Sequence, residues 1–296
     1  LNWSGTGRKS TLRVRLENVT YWYRSPFFTE HRALDNVSMD IRPGVCLALV
    51  GASGSGKTTL IQLLNGLLHP TTGSVLVDET DLSNRKADLY TIRRRIGLLF
   101  QFPEAQLFEE TVFEDVAFGP KNLGHSRAEV EAHVRSAMEG VGLDPERYRN
   151  QSPFRLSGGE KRRAAIAGVL AMDPEVLVLD EPTAGLDWEG SRRIETILSD
   201  YNRLGRTVLF VTHDMDLVGR LADRIVVLEK GRIGFEGGKS ELFQAEGGIL
   251  ARAGLTTPSV SDAMRSFRDK GLPVRTDVFT VEEAKEELRK AAGSLS

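Results

Sequence analysis

Short apolar runs and longer amphipathic stretches alternate along this chain. Residues from about 11 to 50 read as β structure, and Val37-Ser-Met-Asp-Ile41 alternates apolar and polar as a half-buried strand does. Tyr21-Trp-Tyr23 ends an early strand, Leu34 to Ile41 returns beside it, and Val45-Cys-Leu-Ala-Leu-Val50 is a buried run. A helix beginning near Thr59 is broken by Gly66 and Pro70-Thr-Thr-Gly73. Strands follow at Ser74 to Asp78 and Arg95 to Phe100, then a helix-rich region from about 101 to 171, in which Ala128 to Val141 is amphipathic. The apolar runs Val176 to Leu179 and Thr207 to Thr212 flank a helix over roughly Glu189 to Leu204, and Val226 to Ile233 reads as a hairpin. Alternating strands and helices predict a parallel sheet covered on both faces, with ligands at the strands' carboxyl ends and the helix-rich middle as an inserted lobe. Past about Gly238 the pattern is helical again. Thr280 with Glu283 forms a capping box for Val281 to Ala292, and Glu286 and Lys290 are spaced for an i,i+4 pair. The pattern leaves open whether this tail is a small domain, a dimerisation element or a solvated helix.

One junction carries chemistry. The run ending at Val50 passes into Gly51-Ala-Ser-Gly-Ser-Gly-Lys-Thr58 and then Thr59-Leu-Ile-Gln-Leu-Leu-Asn65, which is strand, glycine loop, helix. That spacing is a phosphate-binding loop: Gly51, Ala52, Ser53, Gly54, Ser55 and Gly56 curl so that backbone N–H groups converge, and a helix N-terminus at Thr58 and Thr59 adds positive potential. Lys57 is placed to reach the β- and γ-phosphates, and the Thr58 hydroxyl to ligate Mg²⁺. A second stretch, Gly5-Thr-Gly-Arg-Lys-Ser10, has Arg8 where a glycine belongs and no preceding strand, so it reads as a mobile tail.

Composition narrows the class. The 296 residues are 40% hydrophobic and 27% charged, as in a globular protein with a real core. There is no run of about 18 apolar residues and no secretory leader, so the reading is neither a membrane-spanning nor a secreted chain. A net charge of −2 argues against nucleic acid as a partner. The single cysteine, Cys46, lies within an apolar strand and reads as a core residue.

Further candidates lie downstream. Asp180 follows four apolar residues and so sits at a strand's carboxyl end, where it can hold Mg²⁺. Glu181 is placed to take a proton from an attacking water. Leu156-Ser-Gly-Gly-Glu160 opens a helix with a serine and two glycines, a second anion site. Two such sites in one chain make sense if each nucleotide is sandwiched between two subunits.

The glycine loop, Gln101, Leu156-Ser-Gly-Gly-Glu160, Leu179-Asp-Glu-Pro-Thr183, Ala184-Gly-Leu-Asp187 and His213 stand in the order found in ATP-binding cassette ATPases, and the chain resembles that family over about 12–240. The resemblance implies an α/β P-loop NTPase fold with a RecA-like core, an antiparallel β subdomain, an inserted helical subdomain at about 101–171 and a C-terminal helical extension at 241–296. It implies ATP and Mg²⁺ as cofactors, Tyr23 as the aromatic that stacks on adenine, and Gln101 as the link between metal, attacking water and a membrane partner. It further implies Ser157 and Gly159 as contacts to the partner's γ-phosphate, Asp187 as the residue sensing the opposite subunit, and His213 as the switch on the γ-phosphate. Tyr21 and Trp22 remain alternatives to Tyr23.

Phe100-Gln-Phe-Pro-Glu-Ala-Gln-Leu-Phe-Glu-Glu-Thr-Val112 and Ser152-Pro-Phe-Arg-Leu-Ser-Gly-Gly-Glu-Lys-Arg-Arg163 narrow the resemblance to the ATPase subunits of energy-coupling factor transporters, in the second of their two homologous A subunits. It implies a peripheral protein on the cytoplasmic side of the cell membrane. Its partners would be a homologous, non-identical ATPase subunit, a transmembrane T subunit contacted through about 101–112, and an S subunit that captures a vitamin or metal ion. Alternatives are a cassette of another importer and, less favoured, a soluble cassette ATPase. Two departures stand out. Glu160 replaces a more usual glutamine and brings a carboxylate toward a triphosphate, with Lys161, Arg162 and Arg163 nearby to offset it. Trp188 replaces a more usual proline after Asp187.

Overall fold

The computed structural model describes residues 9–25, 28–84, 86–244 and 248–294. Two sheets organise it. The first joins β2 (Phe28–Ile41), β1 (Val14–Ser25), β4 (Thr72–Val77) and β5 (Thr80–Asp81) in that order, all antiparallel. The second has the order β10 (Arg232–Gly237), β9 (Arg224–Glu229), β3 (Cys46–Val50), β8 (Thr207–Val211), β7 (Val176–Asp180) and β6 (Ile96–Leu99). Its strands are parallel except β10, the returning arm of the hairpin.

Strands β3, β7 and β8 are buried at every position because both faces of the sheet are covered. Side chains alternate between those faces. Cys46, Ala48 and Val50, with Leu177, Leu179, Val208 and Phe210, enter one core, while Leu47, Leu49, Val176, Val178, Leu209 and Val211 enter the other. The second core is shared with α1 (Lys57–Leu64), α2 (Leu89–Arg95) and the antiparallel sheet. The first takes the inserted lobe: α3 (Val112–Asn122), α4 (Arg127–Gly140), α5 (Pro145–Tyr148) and α6 (Gly158–Leu170). It also takes α7 (Trp188–Arg203) and α8 (Met215–Leu221).

The C-terminal segment comprises α9 (Lys239–Gln244), α10 (Ile249–Arg252), α11 (Ser259–Asp269) and α12 (Val281–Ser294). Met264, Val274, Val278 and Ala291 make a small core of their own, but Leu242, Phe243, Ala253, Leu255 and Phe279 belong to the main core. Ser259 donates to both Asp216 oxygens at 2.6 and 2.8 Å, tying the segment to α8. The Thr280–Glu283 box forms, but no Glu286–Lys290 ion pair does among the described residues. Glu287 binds Arg275 instead, at 3.4 Å, where it also accepts the Arg275 backbone N–H.

Ser10 corrects the reading of a mobile tail. Its N–H donates to the Gly205 carbonyl at 2.8 Å and its hydroxyl meets that of Thr207, so the chain is pinned from Ser10 onward. Gly5 to Arg8 lie outside the described residues.

Candidate functional site

The turn from β3 into α1 is shaped by glycines that no other residue can replace cheaply. Gly51 and Gly56 have φ of +146° and +104°, and a methyl group on either would lie 2.2 Å from the Leu228 carbonyl oxygen or 2.4 Å from that of Ala33. The loop thus rests directly on the β2 and β9 backbones. Lys57 Nζ bends over it, donating to the Gly51 and Ala52 carbonyls at 2.8 Å each. Burial lowers the Lys57 pKa, and the charges of Glu181 and Asp180 partly restore it.

Around this loop lies a cleft of about 550 Å³. Its lining includes Tyr23, Gly51 to Gly54, Gly56 to Thr59, Gln101, Asp180, Glu181 and His213. Ser55 and Thr59 are buried in its wall. Thr58 Oγ1 donates to Asp180 Oδ2 at 3.0 Å, joining the start of α1 to the end of β7. Burial pushes the Asp180 carboxyl above its usual range; the Thr58 hydroxyl opposes this, Glu181 adds to it and Lys57 opposes it.

Glu181 has φ of +49°, a left-handed conformation that is costly for a residue with a Cβ and is held here by its N–H donating to the Val211 carbonyl at 2.9 Å. Its carboxylate accepts from Thr212 Oγ1 at 3.3 Å and lies 2.9 Å from His213 Nδ1. A carboxylate only accepts, so Nδ1 carries the proton in this arrangement and Nε2 is the nitrogen left for another acceptor.

Among the three aromatics on β1, Tyr23 lines the cleft, with its hydroxyl 3.1 Å from Thr59 Oγ1. Tyr21 packs against the core side and meets the Tyr23 ring edge-on at 4.9 Å, while Trp22 lies under Arg32.

Ser157, Gly159 and Asp187 are not in this cleft. They line another, of about 480 Å³, formed by the start of α6 and the start of α7. The structure therefore divides the predicted residues into two separate groups within one chain. In the second, Ser157 caps α6 and Asp187 caps α7, accepting from Gly190 N–H at 2.7 Å. Trp188 takes the first helical position of α7, directly after its Asp187 cap.

Glu160 lines this second cleft with its carboxylate engaged by neighbouring donors. Its Oε2 accepts from Ser157 N–H and Oγ, each at 2.8 Å, and its Oε1 from the Tyr148 hydroxyl at 2.7 Å. The Tyr148 bond first, then those from Ser157, hold its carboxyl below the usual range, with a smaller contribution from Arg163. Arg162 takes no part; it points to Ala184 and Glu104. No sequence motif marks Tyr148, which lies in α5 and meets Glu160 only through the fold. His31, Ala33, Gly254 and Leu255, which also line the first cleft, come from β2 and the C-terminal segment and carry no sequence signal for it.

Cys46 is fully enclosed, and burial pushes its thiol up to about 12, which removes it from chemistry near neutral pH.

A family model described as ABC transporter matches residues 34–184. The chain belongs to that family. Within it, the cassette is 46% identical over 280 residues to the energy-coupling factor transporter ATP-binding protein EcfA2 of Clostridium tetani, covering 94% of this chain and 97% of that one. It is 50% identical over 276 residues to the EcfA2 of Symbiobacterium thermophilum, covering 93% and 95%. Among solved structures it resembles cbiO1 of Clostridium perfringens, part of the ABC transporter complex cbiONQ, with 37% identity and a TM-score of 0.69 over 80% of this chain and 92% of that one. It likewise resembles the dimeric ABC transporter cassette MJ0796 in a post-hydrolysis state bound to ADP and Pi, with 33% identity and a TM-score of 0.69 over 76% and 98%. The cassette is thus an ATPase of the energy-coupling factor type, working with membrane components of a transporter. No helix among the described residues is long and apolar enough to cross a membrane.

Proposed function

We propose that the chain powers uptake of a vitamin or metal ion as one of two cassettes. It would pair with a homologous, non-identical cassette on the cytoplasmic face, beneath a transmembrane T subunit and a substrate-capturing S subunit. The observation that carries the pairing is the division of the site. The glycine loop with Asp180, Glu181 and His213 forms one cleft, and Ser157, Gly159 and Asp187 form another. Each half is chemically incomplete without the other, and a head-to-tail dimer would unite them twice.

In such a sandwich the loop N–H groups and Lys57 bind the β- and γ-phosphates, and Tyr23 stacks on the base. Thr58 and Asp180 supply a hydroxyl and a carboxylate, an all-oxygen donor pair suited to Mg²⁺ shared with phosphates and water. Bound there, Mg²⁺ would neutralise charge on the triphosphate. Glu181 accepts the proton of the attacking water, held in place by Thr212 and by His213, whose Nε2 faces the γ-phosphate in this scheme. Gln101, which lines the cleft, would link a bound Mg²⁺ and the attacking water to the T subunit, and the start of the partner's α6 stabilises the charge that develops.

The segment after Gln101 supports the membrane assignment. The buried Asp115 carboxylate accepts the Phe108 and Glu109 N–H groups at 3.1 and 3.2 Å, folding residues 107–109 onto α3. Phe108 stands 58% exposed beside Phe118, at the edge of an apolar groove of about 690 Å³.

Glu181→Gln tests the chemistry. Loss of the base is expected to lower turnover by at least about 100-fold while ATP still drives dimer formation, read by steady-state phosphate release and size-exclusion chromatography. Turnover within twofold of wild type would remove Glu181 from this role. Co-purification from detergent-solubilised membranes tests the assembly, and a periplasmic-type binding protein in place of a small multi-span subunit would favour another importer class.

A further inference from the structure

Among the described residues, Arg162 has the largest side chain that the fold encloses completely. It projects from the first turns of α6, shortly after Ser157. Its Nη1 donates to the Ala184 carbonyl, at the head of the loop that ends in Asp187. Its Nε lies 3.6 Å from Glu104 Oε2, in the short 3-10 turn Pro103–Gln106 that follows Gln101. Nε and Nη2 of Arg162 and Oε2 of Glu104 are buried without a hydrogen-bond partner among the described residues.

Buried charges left part-satisfied are costly, and native folds rarely keep them without a use. At 3.6 Å the two groups attract but do not bond. An approach of about 0.8 Å would make a charge-assisted bond of ordinary length. The 3.6 Å separation leaves a closer, bonded arrangement within reach. What can close it is the turn that carries Glu104. It begins at Phe102, which is left-handed with φ of +56° and 53% exposed. It ends next to the docking face around Phe108.

We propose that Glu104 and Arg162 form a coupling pair: pressure from the docked membrane subunit on 102–108 closes it and, through the guanidinium, repositions the Ala184 carbonyl and the Asp187 loop. Arg162 is thus a positioning residue that ties the membrane-facing turn, the Ser157 helix and the loop facing the second cassette. Arginine is required because its planar fork serves Ala184 and Glu104 at once, which a single ammonium does not. The proposal rests on the reading of 101–112 as the docking segment.

The test uses the complete complex in proteoliposomes, with Glu104→Gln, Arg162→Lys and the double variant. Each single change is expected to lower kcat about tenfold, within the range of typical coupling between sites. KM for ATP should stay within about twofold, the complex should still assemble, and the double variant should be no slower than the slower single, because both break one link. A wild-type kcat in Glu104→Gln, losses that multiply in the double variant, a raised KM or a failure to assemble would each overturn the proposal. If Arg162→Lys does not fold, Glu104→Gln, at a partly exposed position, decides alone. Glu181→Gln in the same vesicles separates the two readings. If it fails to stop turnover, the assignment of the active site falls; if it stops turnover while Glu104→Gln is normal, only the coupling pair falls.

Discussion

Glycines in this chain serve two different ends, and alanine substitution separates them. At Gly56 an added methyl carbon would lie 2.4 Å from the Ala33 carbonyl oxygen and 2.9 Å from Leu34 Cδ2, with φ at +104°. The left-handed backbone costs an L-residue about 1–2 kcal/mol, and forcing a methyl into a packed site about 1–3 kcal/mol, so Gly56→Ala should lose roughly 2–5 kcal/mol. For a chain of this size about 2 °C corresponds to 1 kcal/mol, so it should melt about 4–10 °C below wild type. Gly54→Ala, at φ of +75° but with open space around the new methyl, should show only the backbone cost, about 2–4 °C. Gly159→Ala is the opposite case: its position is helical, nothing lies within 4 Å, and alanine favours the helix by up to about 1 kcal/mol. Its melting temperature should hold or rise slightly. Yet its methyl would stand on the face assigned to the partner's γ-phosphate, so turnover of the assembled pair should fall at least about tenfold, the cost of overpacking a closed interface. Differential scanning calorimetry and phosphate release on the same preparations read both effects. Full turnover in Gly159→Ala, or a melting loss there equal to that of Gly56→Ala, would refute the division.

Further outcomes follow from the same geometry. Tyr148→Phe removes the leading cause of the lowered Glu160 pKa. Because a depressed carboxylate stabilises above its unfolded pKa and loses that contribution as pH falls through the folded one, the melting difference from wild type should be present at pH 7, begin to shrink below the ordinary glutamate pKa of about 4.3, and be gone only below the lowered folded value. A difference that persists at low pH would place the effect in packing instead. Phe108→Ser, at an exposed position, should leave the melting temperature within about 1 °C but weaken assembly with the membrane subunit, measured by co-elution. Phe279→Ala removes a buried ring that packs on Phe243 at 5.5 Å, which costs about 3–5 kcal/mol. If the C-terminal segment shares the main core, the whole chain should melt lower in one transition, whereas a separate low-temperature transition would show the segment to be an independent unit.

Local pattern sufficed for most of the fold. The apolar runs at 45–50, 176–179 and 207–212 supplied the fully buried strands β3, β7 and β8, since a run apolar on both faces can only be satisfied inside a covered sheet. The Thr280–Glu283 box formed where its spacing put it, because capping is satisfied within a single turn; the Ser157–Glu160 box came from the structure. The long C-terminal segment was harder. Its helices were readable from periodicity, but the sharing of its apolar face between a small local core and the main one depends on contacts far apart in sequence.

By itself the sequence determined what the chain grips and how the gripping loop is built. Glycine spacing, a lysine and a hydroxyl dictate local backbone geometry, and local geometry needs no distant partner. Only the tertiary structure decided which motif residues meet. It brought Thr58 within 3.0 Å of Asp180 and His213 within 2.9 Å of Glu181, and it kept Ser157 and Asp187 in a separate cleft. It also bound the Glu160 carboxylate to Tyr148, and sent Arg162 inward to Ala184 and Glu104. Those outcomes turn on how burial, charge and hydrogen bonding balance among side chains that no local pattern relates.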